Sequence, residues 1–213
     1  RQVLGRAGLL GSGADRLLHR LFGADGAGAT ARIAGRPVRL KDPTRAVRAG
    51  IGMVPGDRAR GLVLSQSVRD NILLPSLDRL GRLMLDRTAA ERMVAPLMDA
   101  LDIRPRDPDR IARSLSGGNQ RKVIFAKWLA ARARMLLLED PTQGIDVATK
   151  AQIHRLIREF ADGGGGVVLA SSEIDEILSL SDRVLAMRQG VIVAALDKDE
   201  ALGERQLRKL LET

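Results

Sequence analysis

Three short stretches hold residues whose types and spacing could do chemistry. The first is Gly8-Leu9-Leu10-Gly11-Ser12-Gly13-Ala14-Asp15-Arg16, which follows an apolar run and leads into a helical pattern. Gly8 and Gly13 have the spacing of a phosphate-binding loop, in which glycines let successive N–H groups point into one concavity at a helix N-terminus. The lysine and hydroxyl that normally close such a loop are Ala14 and Asp15 here. The second stretch is Leu115-Ser116-Gly117-Gly118-Asn119-Gln120. A serine hydroxyl and two glycine N–H groups at a helix start can grip an anion, though Ser116 could equally be an ordinary helix cap. The third is Met135-Leu136-Leu137-Leu138-Glu139-Asp140-Pro141-Thr142. A buried strand that ends in two carboxylates can hold Mg²⁺ with one of them and polarise a water with the other. The plain alternative is a strand ending in a polar turn.

Positioning these stretches requires strands alternating with helices. Gln2 to Ala7 reads as a strand, and Asp15 to Phe22 as a helix with Leu17, Leu18 and Leu21 on one side. ARIAGRPVRL reads as a hairpin about Gly35-Arg36, followed by a short helix stopped by Gly50 and a strand ended by Pro55. From Val63 to Leu115 the texture turns helical, with Pro75, Pro96, Pro105 and Pro108 as punctuation. A helix is expected over Gln120 to Ala131, then the strand to Asp140, and then a helix from Val147 to Ala161. VVLASS should be a buried strand, and Ile174 to Leu180 a helix. A hairpin about Gln189-Gly190 and an amphipathic tail from Asp197 close the chain. The pattern predicts an α/β fold with a mostly parallel sheet, an antiparallel portion and an inserted helical region. The expected divisions are 1–62, 63–115 and 116–213.

Composition narrows the functional classes. The 213 residues are 45% hydrophobic, enough for a substantial core. There is no cysteine, so disulfides and cysteine metal sites are excluded. No apolar run reaches the roughly 18 residues of a membrane span, and no signal peptide is visible. The chain opens on Arg1 without an initiator Met, which suggests a fragment of something longer. The net charge of +9 would suit an anionic partner. Aromatic platforms for nucleic acid are few: Phe22, Phe125, Phe160 and Trp128. Nucleic acid is therefore not an expected partner.

Taken together, the stretches resemble the ATP-binding cassette (ABC) ATPases. LSGGNQRK carries most of the resemblance. EDPTQGIDVATK, SSEIDEILSLSDRVLAMRQG and VPGDRARGLVLSQSVRDNI narrow it to the C-terminal cassette of tandem subunits from ribose-, galactose- and xylose-type importers. The resemblance implies a P-loop NTPase-like fold, with ATP and Mg²⁺ as cofactors. It implies as partners the N-terminal cassette of the same subunit and a transmembrane permease dimer, with an extracytoplasmic sugar-binding protein engaged indirectly. The implied location is the cytoplasmic face of the plasma membrane, as a peripheral component.

Carried over by resemblance, Gly8, Gly11, Ser12, Gly13, Ala14, Asp15 and Arg16 occupy the ATP-binding Walker A position. Glu139 takes the metal-linked Walker B position, and Asp140 the catalytic one. Asp146 is the D-loop aspartate, Gly56 lies at the Q-loop position, and Ser172 replaces the switch histidine. Ser116, Gly117, Gly118 and Gln120 form the signature, which grips the γ-phosphate held by the opposite cassette.

The departures all fall on the chain's own nucleotide site. Asp15 sits in the field meant for phosphate, either as a helix cap stabilising by roughly 0.3–1 kcal/mol or as a metal ligand. The Glu139-Asp140 order reverses the usual pair and leaves the shorter side chain at the catalytic position. Misplacement on that scale can slow a reaction on the order of 100-fold. The signature is intact. The sequence thus predicts an asymmetric arrangement: this cassette completes its partner's site, while its own is weak or inactive. The alternative is a non-hydrolysing regulatory or scaffolding half.

Overall fold

The computed structural model describes residues 2–8, 14–33, 35–77, 87–198, 207 and 209–211, with the side chains of residues 14, 15, 36 and 87 left aside. Its main sheet has six strands: β1 (Val3–Gly8), β4 (Ile51–Val54), β5 (Met135–Glu139), β6 (Gly166–Ala170), β7 (Arg183–Arg188) and β8 (Val191–Asp197), in the order β4-β5-β6-β1-β7-β8. β5 with β6, β6 with β1, and β1 with β7 are parallel pairs; β7 with β8 is antiparallel. β2 (Ala29–Ile33) and β3 (Arg36–Leu40) form a separate antiparallel ribbon. The expected mostly parallel α/β core with an antiparallel portion is present.

Apolar residues explain why these strands are central. Leu136, Leu137 and Leu138 on β5 are completely buried, as a strand covered on both faces requires. One cluster joins Leu18 of α1 (Ala14–Phe22), Leu40, Ala46 of α2 (Pro43–Arg48), Ile51, Met53, Leu137 and Ala170. A second joins Ala7, Val184 and Ala186 with Ile177 and with the tail residues Leu207 and Leu211. Ile177 lies on α7 (Ile174–Leu180), and the tail leucines are four apart, on one helical face. Asp197, the expected start of the tail helix, is instead the last residue of β8, and residues 199–206, 208, 212 and 213 of the expected helix lie outside the described residues. The β7–β8 hairpin turns on Gln189 and Gly190, at φ 49° and 80°. Both residues are left-handed, as a tight turn matched to strand twist demands.

Backbone contacts divide the chain into two compact units. The first comprises Arg1–Met53, Arg134–Pro141 and Ile157–Thr213; the second, Val54–Ala133 and Thr142–Leu156. These units do not coincide with the expected divisions at 62/63 and 115/116. In the second unit, α5 (Gly117–Ala130) packs on α3 (Val68–Leu73) and α4 (Arg87–Ala100), so the helical region extends through the signature helix. α6 (Val147–Asp162) begins in the second unit and ends in the first.

Two details differ from the sequence expectations. Helix α5 starts at Gly117 rather than Gln120. Ser116 caps it in an extended conformation, so both glycines fall in its first turn, where a missing side chain is tolerated. Pro96 lies inside α4 on an exposed position instead of breaking it. Among the described residues, no helix is long and apolar enough to cross a membrane.

Candidate functional site

In the first unit, β5, β6 and β1 are neighbours running the same way, so their C-terminal ends lie together. Glu139 is level with Ala170, and Ala170 with Arg6. Ligands of such sheets bind beyond these ends. Gly8 closes β1 there. Gly11, Ser12 and Gly13 lie outside the described residues; Ala14 and Asp15 open α1, and Arg16 on the same helix is exposed.

The two carboxylates are both engaged. Glu139 Oε1 lies 3.2 Å from Nε2 of His19, with only 17% of the Glu139 side chain exposed. The imidazole and the carboxylate thus share one hydrogen bond, whose direction follows the His19 tautomer. Asp140 has a left-handed backbone, φ 40°, and its N–H donates to the Ala170 carbonyl at 2.8 Å. Its Oδ1 accepts from the N–H of Ser172 at 2.6 Å and from the Ser172 hydroxyl at 2.8 Å. Left-handed backbone is uncommon for residues other than glycine, with aspartate among the more tolerant. The bonds to residues 170 and 172 overdetermine it, pinning Asp140 across to the loop after β6.

Magnesium favours octahedral oxygen ligands, usually one or two carboxylates with water and phosphate. The residues here do not fit that pattern. An imidazole competes for Glu139, Asp140 is turned onto Ser172, and the usual loop hydroxyl is replaced by Asp15. Among the described residues, no group of three or more His, Asp or Glu is placed to hold a metal.

In the second unit, short hydrogen bonds tie the signature turn together. Ser116 is exposed, and its Oγ accepts from Nδ2 of Asn119 at 2.9 Å and more weakly from the Asn119 N–H at 3.4 Å. The Asn119 side-chain oxygen accepts from the N–H of Arg104 at 2.7 Å. Gln120 faces inward: its Nε2 donates to the carbonyls of Ala112 and Leu115 at 3.1 and 3.3 Å. It therefore braces the loop leading into the turn.

Both glycines are hemmed by side chains. A Cβ on Gly117 would lie 2.9 Å from Cζ of Arg58, against the guanidinium. A Cβ on Gly118 would lie 2.6 Å from the Thr149 methyl. Thr149 in turn belongs to the Asp146 cap of α6. Its N–H and hydroxyl donate to the two Asp146 oxygens at 2.9 and 2.7 Å. These bonds hold the Asp146 carboxyl below the usual carboxylate range. Gly118 is thus confined by the stiff Thr149 side chain, while Gly117 faces the movable end of Arg58.

The cations of α5 bond to neutral carbonyls. Arg121 is fully buried; its Nη1 donates to the Pro55 carbonyl and its Nη2 to the Gly56 carbonyl at 2.9 Å. Lys122 Nζ donates to the Asp102 carbonyl and Lys127 Nζ to the Gly61 carbonyl, at 2.9 and 2.8 Å. Burial lowers Lys127 from 10.5 to about 8.

A family model described as ABC transporter matches residues 2–143. The chain belongs to that family. It is 41% identical over 204 residues to the ribose import ATP-binding protein RbsA of Geobacillus kaustophilus, covering 93% of this chain and 41% of that protein. It is 45% identical over 192 residues to the RbsA of Chromobacterium violaceum, covering 89% and 38%. A putative ribose/galactose/methyl galactoside import ATP-binding protein of Rhizobium etli is 41% identical over 214 residues, covering 97% and 40%. The chain thus spans about two fifths of these relatives' length. The ADP conformation of the ATP-binding cassette MJ1267 superposes with a TM-score of 0.78 at 19% identity, covering 98% of this chain and 87% of that one. A nucleotide-free cassette gives 0.78 at 20% identity, covering 100% and 85%. At such identities the likeness establishes the fold.

Reading the sequence alone missed His19, Arg58, Arg121 and Thr149. His19 was detectable in principle, being four residues after Asp15 and so on the same face of α1. The other three act through contacts between segments distant in sequence.

Proposed function

We propose that this chain is an ATP-binding cassette of a sugar importer's ATPase subunit, and that it works mainly in trans. Its signature turn, Ser116 with the first-turn N–H groups of α5, completes an ATP site whose Walker A and Walker B belong to a partner cassette. That cassette is the N-terminal one of the same subunit. Binding and hydrolysis there drive a permease dimer from the cytoplasmic face of the membrane, with sugar delivered by an extracytoplasmic binding protein. The chain's own Gly8–Arg16 loop forms a weak or inactive site.

One observation carries this reading. The signature turn leaves Ser116 exposed, while Glu139 and Asp140 are held by His19 and Ser172. Residues of this chain bind, orient and exclude water at the partner's phosphate, and no step passes through a metal held by Glu139. ATP supplies the phosphoryl group whose transfer to water resets the pair. The names of the relatives support the sugar class, since those proteins are ribose and galactose import subunits.

Calorimetry of this chain with Mg-ATP tests the weak-site half of the reading. The chain itself should give no binding heat, and the Ala14→Lys/Asp15→Thr double variant should bind. Tight binding by the unsubstituted chain would overturn it.

A further inference from the structure

The sequence leaves Gly56 without a side chain for metal or water, so its only polar handles are backbone groups. One of these, the carbonyl, accepts from the buried Arg121 on the signature helix, as does the carbonyl of Pro55 before it. Two residues on, the same turn sends Arg58 back to lie against the Cα of Gly117. The turn and the signature are therefore interlocked from both sides, by a guanidinium of the helix on the turn and a guanidinium of the turn on the helix.

A buried arginine with two carbonyl acceptors is a stiff link. Its planar fork fixes both distances at once, which a lysine ammonium cannot reproduce. A Cβ at 117 would meet the Arg58 guanidinium, so a side chain there would displace the flexible end of Arg58 from its contact. Thr149 closes the other flank at Gly118.

We propose that Arg121 and Arg58 are positioning residues that lock the Gly56 turn to the signature, so that this turn sets the signature's placement for the partner's nucleotide. The proposal rests on the trans reading above. The position that would otherwise serve the chain's own nucleotide is redirected: whatever displaces the Gly56 turn displaces Ser116 and the α5 N-terminus with it.

The test uses the full-length subunit with its permease. ATP hydrolysis is measured for Arg121→Lys, Arg58→Gln, Lys122→Met and Ser116→Arg, with thermal melting of each. Lys122 lies on the same helix and bonds to the Asp102 carbonyl, outside the Gly56–Gly61 turn, so it reports a general loss of helix anchoring. Arg58 is only half-buried, so Arg58→Gln keeps the test usable if Arg121→Lys melts early. The expected result is a rise in KM for ATP of about tenfold in Arg58→Gln and Arg121→Lys, a scale ordinary for coupling between sites. In Arg58→Gln the melting temperature should hold, and in Lys122→Met the KM should hold. The proposal is overturned if Ser116→Arg abolishes hydrolysis while both arginine variants keep the KM of Lys122→Met. If Ser116→Arg is silent, the trans reading itself fails and the proposal falls with it.

Discussion

Asp140, which the resemblance casts as a catalytic carboxylate, is committed to other bonds. Its carboxylate takes two donors from Ser172, and its left-handed backbone is fixed by Ala170. Asp140→Asn keeps one acceptor oxygen, so the first unit should lose only about 0.5–1.5 kcal/mol, the net worth of one weakened hydrogen bond. Hydrolysis by the full-length subunit should be unchanged within about twofold, since the productive site borrows no carboxylate from this chain; a loss of about 100-fold, the scale of a displaced catalytic group, would make Asp140 a working base. Lys127 is a second residue-scale case. Burial lowers it from 10.5 to about 8. Below pH 8 both folded and unfolded chains carry the proton, and the burial penalty is present in full. Between about 8 and 10.5 the unfolded chain still holds a proton the folded one has shed, so stability rises with pH. The rise is on the order of 3 kcal/mol. Urea denaturation at pH 7 and pH 10 should show it, and Lys127→Met should lack that part of the slope. An equal slope in the variant would contradict the assignment.

Helices and strands are joined here by a few polar anchors as well as by packing. Asp182, just before β7, accepts from the Val3 N–H at 2.8 Å and from Arg158 of α6 at 2.9 Å. Burial pulls its carboxyl upward, but these donors outweigh it and the net direction is down. A lowered carboxylate stabilises above its unfolded value, and that contribution is lost as pH falls through the folded one. Asp182→Asn should therefore cost about 1.5–3 kcal/mol at neutral pH, the range for hydrogen bonds to charged groups. It should also flatten the acid limb of the stability profile, checked by denaturant titration between pH 2 and 7. At this scale much was legible beforehand. The unbroken apolar run at 136–138 announced a strand buried on both faces, and Gln189-Gly190 announced its turn. The start of α5 lies three residues before the expected one, because two adjacent glycines read as turn even beside a capping serine, whereas the Ser116 cap puts both in the first helical turn. Pro96 was read as a break, yet it sits on an exposed face where the helix tolerates it.

For the molecule as a whole, two compact units carry two different halves of the family's chemistry. The carboxylate end lies in the first, and the signature with its flanking contacts in the second. Motif identity was readable from LSGGNQ and the Glu139-Asp140 strand end, and the missing lysine at 14 was plain. Three things were not readable. One is that His19 would take Glu139, another that Ser172 would take Asp140, and the third that Arg58 and Thr149 would press on the two signature glycines. Each joins segments at least 31 positions apart, where no local pattern marks the partner. The central claim is that this cassette acts through its signature on a nucleotide held elsewhere. The most direct measurement is steady-state ATP hydrolysis by the full-length subunit with its permease, comparing Ser116→Arg with a Glu139→Gln/Asp140→Asn pair. The account predicts that Ser116→Arg removes hydrolysis by about 100-fold or more, as loss of an electrostatic donor at a phosphate does, while the carboxylate pair leaves most of it. Retained hydrolysis in Ser116→Arg with loss in the carboxylate variant would place the working site in this chain and contradict the account.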